Sequence, residues 1–225
     1  MKNKKRKALL FVTCGLIAAL AVGFTIAYLT DNEMHINKAT PGDIVTEIVE
    51  EFEPPNPEDI QPGNTIQYKK KIQAKNTGKS DAYIRMAVAI SDGDIANESE
   101  YSLDGTTWYP VSEYKDHLPE GWIYLDDDSL GGAYFYYTRP VKAEKRDIDG
   151  NITQEAEMTP PLFQYVRTKY SDEREAYPYD IYAYAEAMQL VDASGKVQKN
   201  ENTITKPADY AVVKTWRSYY EGRNG

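Results

Sequence analysis

Histidine, cysteine and paired carboxylates are the side chains that most often carry chemistry, and this 225-residue chain is poor in the first two: His35, His117 and Cys14 are all it has. A helical zinc protease site needs two histidines four apart with a glutamate beside the first, so that one helical turn brings both imidazoles to one metal. His35 and His117 stand 82 positions apart in no such motif and read as ordinary surface residues. No Gly-x-Ser-x-Gly elbow is present for a serine nucleophile. Carboxylates are plentiful, but the run Asp126-Asp127-Asp128 reads as a solvated face before it reads as a glycosidase pair. Asp147-Ile148-Asp149-Gly150-Asn151 places oxygens at positions one, three and five of a calcium-type loop. Ile152 then stands where such a loop wants glycine, and Met158 where it wants a bidentate glutamate. Asp147, Asp149 and Asn151 are therefore read first as a hairpin turn, with calcium there, or at Asp126–Asp128, as the alternative. No catalytic residue and no cofactor is assigned.

Aromatic side chains are the other notable stock, with 19 tyrosines and three tryptophans. Clusters at Tyr134, Tyr136 and Tyr137 and at Tyr177, Tyr179, Tyr182 and Tyr184 could stack on sugar rings. Tyrosine is also a favoured strand residue, and core packing is the first reading.

The elements that must position these side chains begin with a basic run, Lys2 to Lys7, followed by 22 uncharged residues from Ala8 to Leu29. Those are the basic and apolar regions of a secretory signal, and Thr25-Ile26-Ala27 offers the small residues of a cut between Ala27 and Tyr28. The alternative is an uncleaved anchor, the only membrane contact expected. Cleavage removes Cys14 and leaves about 198 residues without disulfide or thiolate, enough for one domain with an ordinary core. It also removes five cations, taking the formal charge from −9 to about −14. Such an acidic surface repels nucleic acid and anionic lipid.

Beyond residue 28 the chain reads as strands. Ile66, Tyr68 and Ile72 alternate with Gln67, Lys69, Lys71 and Gln73; Ile84, Met86, Val88 and Ile90 alternate with Tyr83, Arg85, Ala87 and Ala89. The two runs, separated by the turn Asn76-Thr77-Gly78, are expected to be neighbouring strands of one sandwich. Asp104-Gly105, Asp149-Gly150 and Ser194-Gly195 mark turns, and Gly131–Arg139 and Tyr179–Leu190 are further strands. Glu50 to Pro62, with four prolines, is expected to be an extended loop. One helix is expected over residues 206–221, capped by Thr205, with Pro207 in its first turn and Val212, Trp216 and Tyr219 on one face, packed over an open end of the body. The sum is an all-β protein, a jelly-roll or Ig-like sandwich with long loops and a short carboxyl-terminal helix.

The order of pieces resembles a known family. Ala27-Tyr28-Leu29-Thr30-Asp31, Asn37, Pro62-Gly63-Asn64, Asn76-Thr77-Gly78 and Asp81-Ala82-Tyr83-Ile84-Arg85 look like the TasA/camelysin family of Gram-positive bacteria. Thr159-Pro160-Pro161-Leu162-Phe163, Ala185-Glu186-Ala187-Met188-Gln189 and Trp216 continue in the same order. The resemblance implies export through a SipW-type signal peptidase, a jelly-roll domain at the cell surface or in the biofilm matrix, and, for some members, fibres. In those, the new amino terminus of one subunit completes the sheet of the next by β-strand addition. The matching donor segment here would lie within residues 28–40, with Tyr28, Leu29, Met34 and Ile36 as its assembly residues. The camelysin branch is described as metallopeptidase, but the two isolated histidines do not carry that label over, and no enzyme is expected.

The expected function is therefore a secreted structural protein of the cell surface or matrix, with itself or related matrix proteins as partners. A glycan-binding or adhesive module is the alternative and a camelysin-like metallopeptidase the third reading. Glu221 to Gly225 show neither a sorting motif nor an apolar tail, so retention is expected to depend on assembly or partners.

Overall fold

The computed structural model describes residues 44–173, 175–191, 195–201 and 203–223. The signal segment 1–27 with its cut at Ala27 and Tyr28, the donor segment 28–40 with Leu29, Met34 and Ile36, His35 and the turn residue Ser194 lie outside the described residues.

Alternating apolar positions and tight turns build eleven strands among the described residues. They are β1 (Thr46–Glu53), β2 (Thr65–Asn76), β3 (Ala82–Ile90), β4 (Ser99–Ser102), β5 (Tyr109–Pro110) and β6 (Trp122–Asp127). β7 (Gly132–Tyr137), β8 (Lys145–Arg146), β9 (Ile152–Gln154), β10 (Tyr165–Lys169) and β11 (Ile181–Gln189) complete the set. A one-turn helix α1 (Gly93–Asn97) precedes β4, and a longer helix α2 (Ala211–Arg223) ends the fold. All strand pairs are antiparallel. One sheet has the order β1-β2-β10-β4-β5 and the other β11-β3-β7-β6, while β8 and β9 form a separate hairpin. The protein is an all-β sandwich with a short carboxyl-terminal helix. Its main core lies between the sheets, where Ile72, Ala74 and Val166 of the first meet Ile84, Met86 and Ala185 of the second. Tyr101 stacks on Phe163 at 4.0 Å within it.

Four expectations are corrected. The runs at Ile66 and Ala82 are not neighbours in one sheet: β2 pairs with β1 and β10, and β3 with β11 and β7, so the turn between them carries the chain from sheet to sheet. The acidic stretch from Glu50 is not loop from its start, because Glu50 to Glu53 are the second half of β1, paired residue for residue with Lys69 to Ile72. Its prolines act only from Pro54, where a short 3-10 turn, Pro57–Asp59, begins the connection to β2. Thr205 does not cap the helix. Pro207 opens a 3-10 turn of its own, Pro207–Asp209, and α2 starts at Ala211, whose N–H donates to Asn200 Oδ1 at 2.8 Å. Finally, α2 covers the outer face of the four-stranded sheet rather than an end of the sandwich, its Val212, Val213 and Trp216 packing on Tyr83, Tyr136 and Met188.

This placement explains why Arg85, on the face of β3 opposite Ile84 and Met86, is fully buried. Its Nε donates to Glu186 Oε2 at 2.7 Å, Nη1 to the Leu130 carbonyl at 2.7 Å, and Nη2 to Tyr220 Oη at 3.0 Å. The guanidinium lies 3.7 Å from the centroid of Tyr134 and 3.8 Å from that of Trp216. Every donor direction and both faces are used, which is how an interior arginine is stabilised.

Candidate functional site

Strand β1 is the outer strand of the five-stranded sheet. The Val45 carbonyl accepts from Thr77 and Gly78 N–H at 3.0 and 3.1 Å. Antiparallel alternation then turns the backbone groups of Glu47, Val49, Glu51 and Glu53 toward β2 and those of Thr46, Ile48, Glu50 and Phe52 away from it. Thr46 is buried, but no strand among the described residues pairs with that side of β1, so Ile48, Glu50 and Phe52 present N–H and C=O groups along an edge of the kind that accepts a further strand. Their side chains face the core side, where the Glu50 carboxylate pairs with the largely buried Lys70 ammonium, which lies 4.7 Å from the Phe52 ring centroid. On the opposite face Glu51 meets Lys71 at 2.6 Å and Lys69 at 2.9 Å, and Lys69 also meets Glu53 at 3.3 Å. The hydrogen bonds from Lys71 and Lys69 pull the Glu51 carboxyl down to about 2. The glutamates of β1 and the lysines of β2 are thus one cross-strand ladder, which fixes the register of the edge.

The second feature is a cleft of about 230 Å3 between the sheets, lined among others by Val88, Ile90, Tyr124, Ala133 and Phe135, with Lys115 at its mouth. It exists because β5 is only two residues long and leaves the inner face of β6 and β7 uncovered on that side. Sequence reading missed the cleft. Its one local signal is the small Ala133 in an otherwise aromatic strand.

The residues singled out for chemistry are dispersed. Asp147 Oδ1 accepts from the N–H groups of Asp149 and Asn151 at 3.0 and 2.8 Å, and Asn151 Nδ2 reaches Asp147 Oδ2 at 3.1 Å. Those bonds hold the Asp147 carboxyl below its usual range and close the β8–β9 hairpin around Gly150. Asp127 caps the turn after β6 through Ser129, and its carboxyl is lowered by that side-chain bond first and by Arg217 nearby. His117 stacks on Tyr109 with centroids 3.8 Å apart. Among the described residues no group of three or more His, Cys, Asp or Glu is placed to hold a metal ion. Tyr83, Tyr101, Tyr114, Tyr136, Tyr170 and Tyr179 are buried, and Tyr68, Tyr109, Tyr134, Tyr137, Tyr210, Tyr219 and Tyr220 pack partly buried against the cores, so most of the tyrosine stock is packing; Tyr177 and Tyr182 are the large exposed ones. No helix among the described residues is long and apolar enough to cross a membrane.

Compared with protein-family models and with curated proteins, the sequence matches none.

Proposed function

We propose that this chain is an exported structural subunit of the cell surface or biofilm matrix, of the kind its resemblance to the TasA/camelysin family implies, and that its copies join by β-strand addition. The observation that supports this reading is the open edge of β1, next to the point where residues 28–43 join the body at Ile44. A donor segment of residues 28–39 spans about 40 Å when extended, more than the roughly 27 Å of the eight-residue edge. Main-chain hydrogen bonds to Ile48, Glu50 and Phe52 would supply affinity, and the Glu–Lys ladder beneath them a fixed register.

The test is electron microscopy of the chain begun at Tyr28 against the chain begun at Thr40, at matched concentration, with export by signal peptidase checked separately by the amino terminus of the secreted protein. Filaments from the longer chain alone are expected. If the longer chain stays monomeric across a hundredfold concentration range, the segment pairs with its own edge or with nothing, and the assembly reading fails.

A further inference from the structure

We propose a second self-contact that goes beyond strand addition and uses other surfaces: Ile148, at the tip of the β8–β9 hairpin of one copy, enters the inter-sheet cleft of the next. Ile148 is 102 % exposed, the most exposed of the large apolar side chains among the described residues. It is also held there by a built turn. Asp147 takes the N–H groups of Asp149 and Asn151, Arg146 Nη1 donates to the Gly150 carbonyl at 3.0 Å, and Thr153 Oγ1 donates to the Lys145 carbonyl at 3.1 Å. A hairpin so braced presents its apolar tip with little further ordering to do on binding.

The cleft suits that tip in size and charge. A cavity of about 150 Å3 admits a benzene ring, and at about 230 Å3 this one has room for a branched aliphatic side chain and part of its turn. Lys115 at the mouth forms no ion pair among the described residues, its ammonium lying 5.8 Å from the Tyr124 centroid. Asp147 and Asp149 flank Ile148 and are opposite in charge to Lys115, the one charged side chain lining the cleft.

Their positions decide the kind of contact. The hairpin leaves the body at the start of β3, where Val141 bridges Ala82 and the Ala143 N–H donates to Asp81. The cleft lies at the end of the same strand, at Val88 and Ile90. Nine residues of β3 separate the two ends by about 30 Å. A knob at one end and a hole at the other give a heterologous, head-to-tail contact, which repeats along a line when its rotation does not close. One apolar side chain and one charge pair support only weak association, on the order of millimolar, so the contact acts as reinforcement between copies already held close.

Disulfide trapping tests it. Chains carrying Ile148→Cys and chains carrying Ala133→Cys, free of the native Cys14, are mixed under mild oxidant, begun either at Tyr28 or at Thr40. The mixed cross-link is expected to form at least about tenfold faster than either like pair, in both chain lengths, and to slow severalfold with Lys115→Glu or with added salt. Equal rates for mixed and like pairs would overturn the proposal. So would a mixed cross-link confined to the longer chain, since the contact would then be a by-product of strand addition; strand addition itself is judged by the filaments and survives or fails independently.

Discussion

Replacing Arg85 by methionine tests how helix α2 is held. The substitution keeps the length of the side chain and removes the charge, leaving the Glu186 carboxylate, with a side chain only 9 % exposed, without its cationic partner. One bond to it survives, from Tyr184 Oη to Oε1 at 2.7 Å. The Leu130 carbonyl and the Tyr220 hydroxyl lose donors, and the rings of Tyr134 and Trp216 lose the cation between them. Removing one member of a buried pair costs roughly 3–5 kcal/mol. In a domain of this size each kcal/mol moves Tm by about 2–4 °C, so a fall of about 6–20 °C is expected. The assays are urea titration followed by tryptophan emission and thermal unfolding by circular dichroism. The double variant Arg85→Met/Glu186→Gln neutralises the stranded charge and should recover at least about 1 kcal/mol relative to the sum of the single variants. An Arg85→Met protein within about 1 kcal/mol of the parent, or an additive double variant, would refute the reasoning and leave the apolar contacts of Val212, Val213 and Trp216 as the whole of the helix's attachment.

Gly131 has φ +88°, and a Cβ there would sit 2.8 Å from Tyr220 Oη, whereas a Cβ at Gly150, with φ +86°, would meet nothing. Gly131→Ala should therefore lose more stability than Gly150→Ala, each bearing the roughly 1–3 kcal/mol of left-handed backbone and only the first a displaced Tyr220 as well; equal losses in thermal unfolding would contradict the packing described. Glu51, lowered from 4.5 to about 2, favours its charged form in the fold. Its contribution is complete above about 4.5 and disappears as pH falls through about 2, so between pH 5 and pH 2.5 the parent should lose more of its urea midpoint than Glu51→Gln. The side chain is 47 % exposed, and the difference should shrink in high salt.

Strands β2, β3, β7 and β11 and the Asp-Gly hairpins were legible because their signals are local: a period of two, or a turn dipeptide between strand formers. The apolar face of α2 was legible for the same reason. What was missed depends on partners distant in sequence. Glu50, Glu51 and Glu53 beside prolines look like loop until Lys69, Lys70 and Lys71 are laid across from them, and that pairing is a property of two strands together. The alternation put Arg85 on the face of β3 opposite Ile84 and Met86, as found; that this face is interior depends on a helix more than a hundred residues later. The Asp147 turn was read correctly as a hairpin, and the same carboxylate that suggested calcium is occupied in closing it. The cleft belongs to no motif at all, since it follows from how far β5 fails to extend.

The distribution of covered and uncovered surface limits how copies could meet. Stacking on the outer face of the four-stranded sheet is blocked by α2. The outer face of the five-stranded sheet carries Glu51 with Lys69 and Lys71, and Glu100 with Arg167 at 2.6 Å and Lys169 at 3.0 Å. Each of these cations already has a carboxylate, so a second sheet laid on them would remove solvated pairs from water and gain little charge interaction in return. Face-to-face stacking is thus disfavoured on both sides. What remains are the sheet edges, among them that of β1 with the outward N–H and C=O groups of Ile48, Glu50 and Phe52, and the two ends of the sandwich, one bearing Ile148 and the other the cleft. As proposed, addition at the edge would extend a sheet sideways, while the knob and the hole would connect copies along the strands, so the two contacts would act in different directions. Either alone leaves the other surface free to bind, and together they would brace neighbouring copies against rotation about a single strand pair.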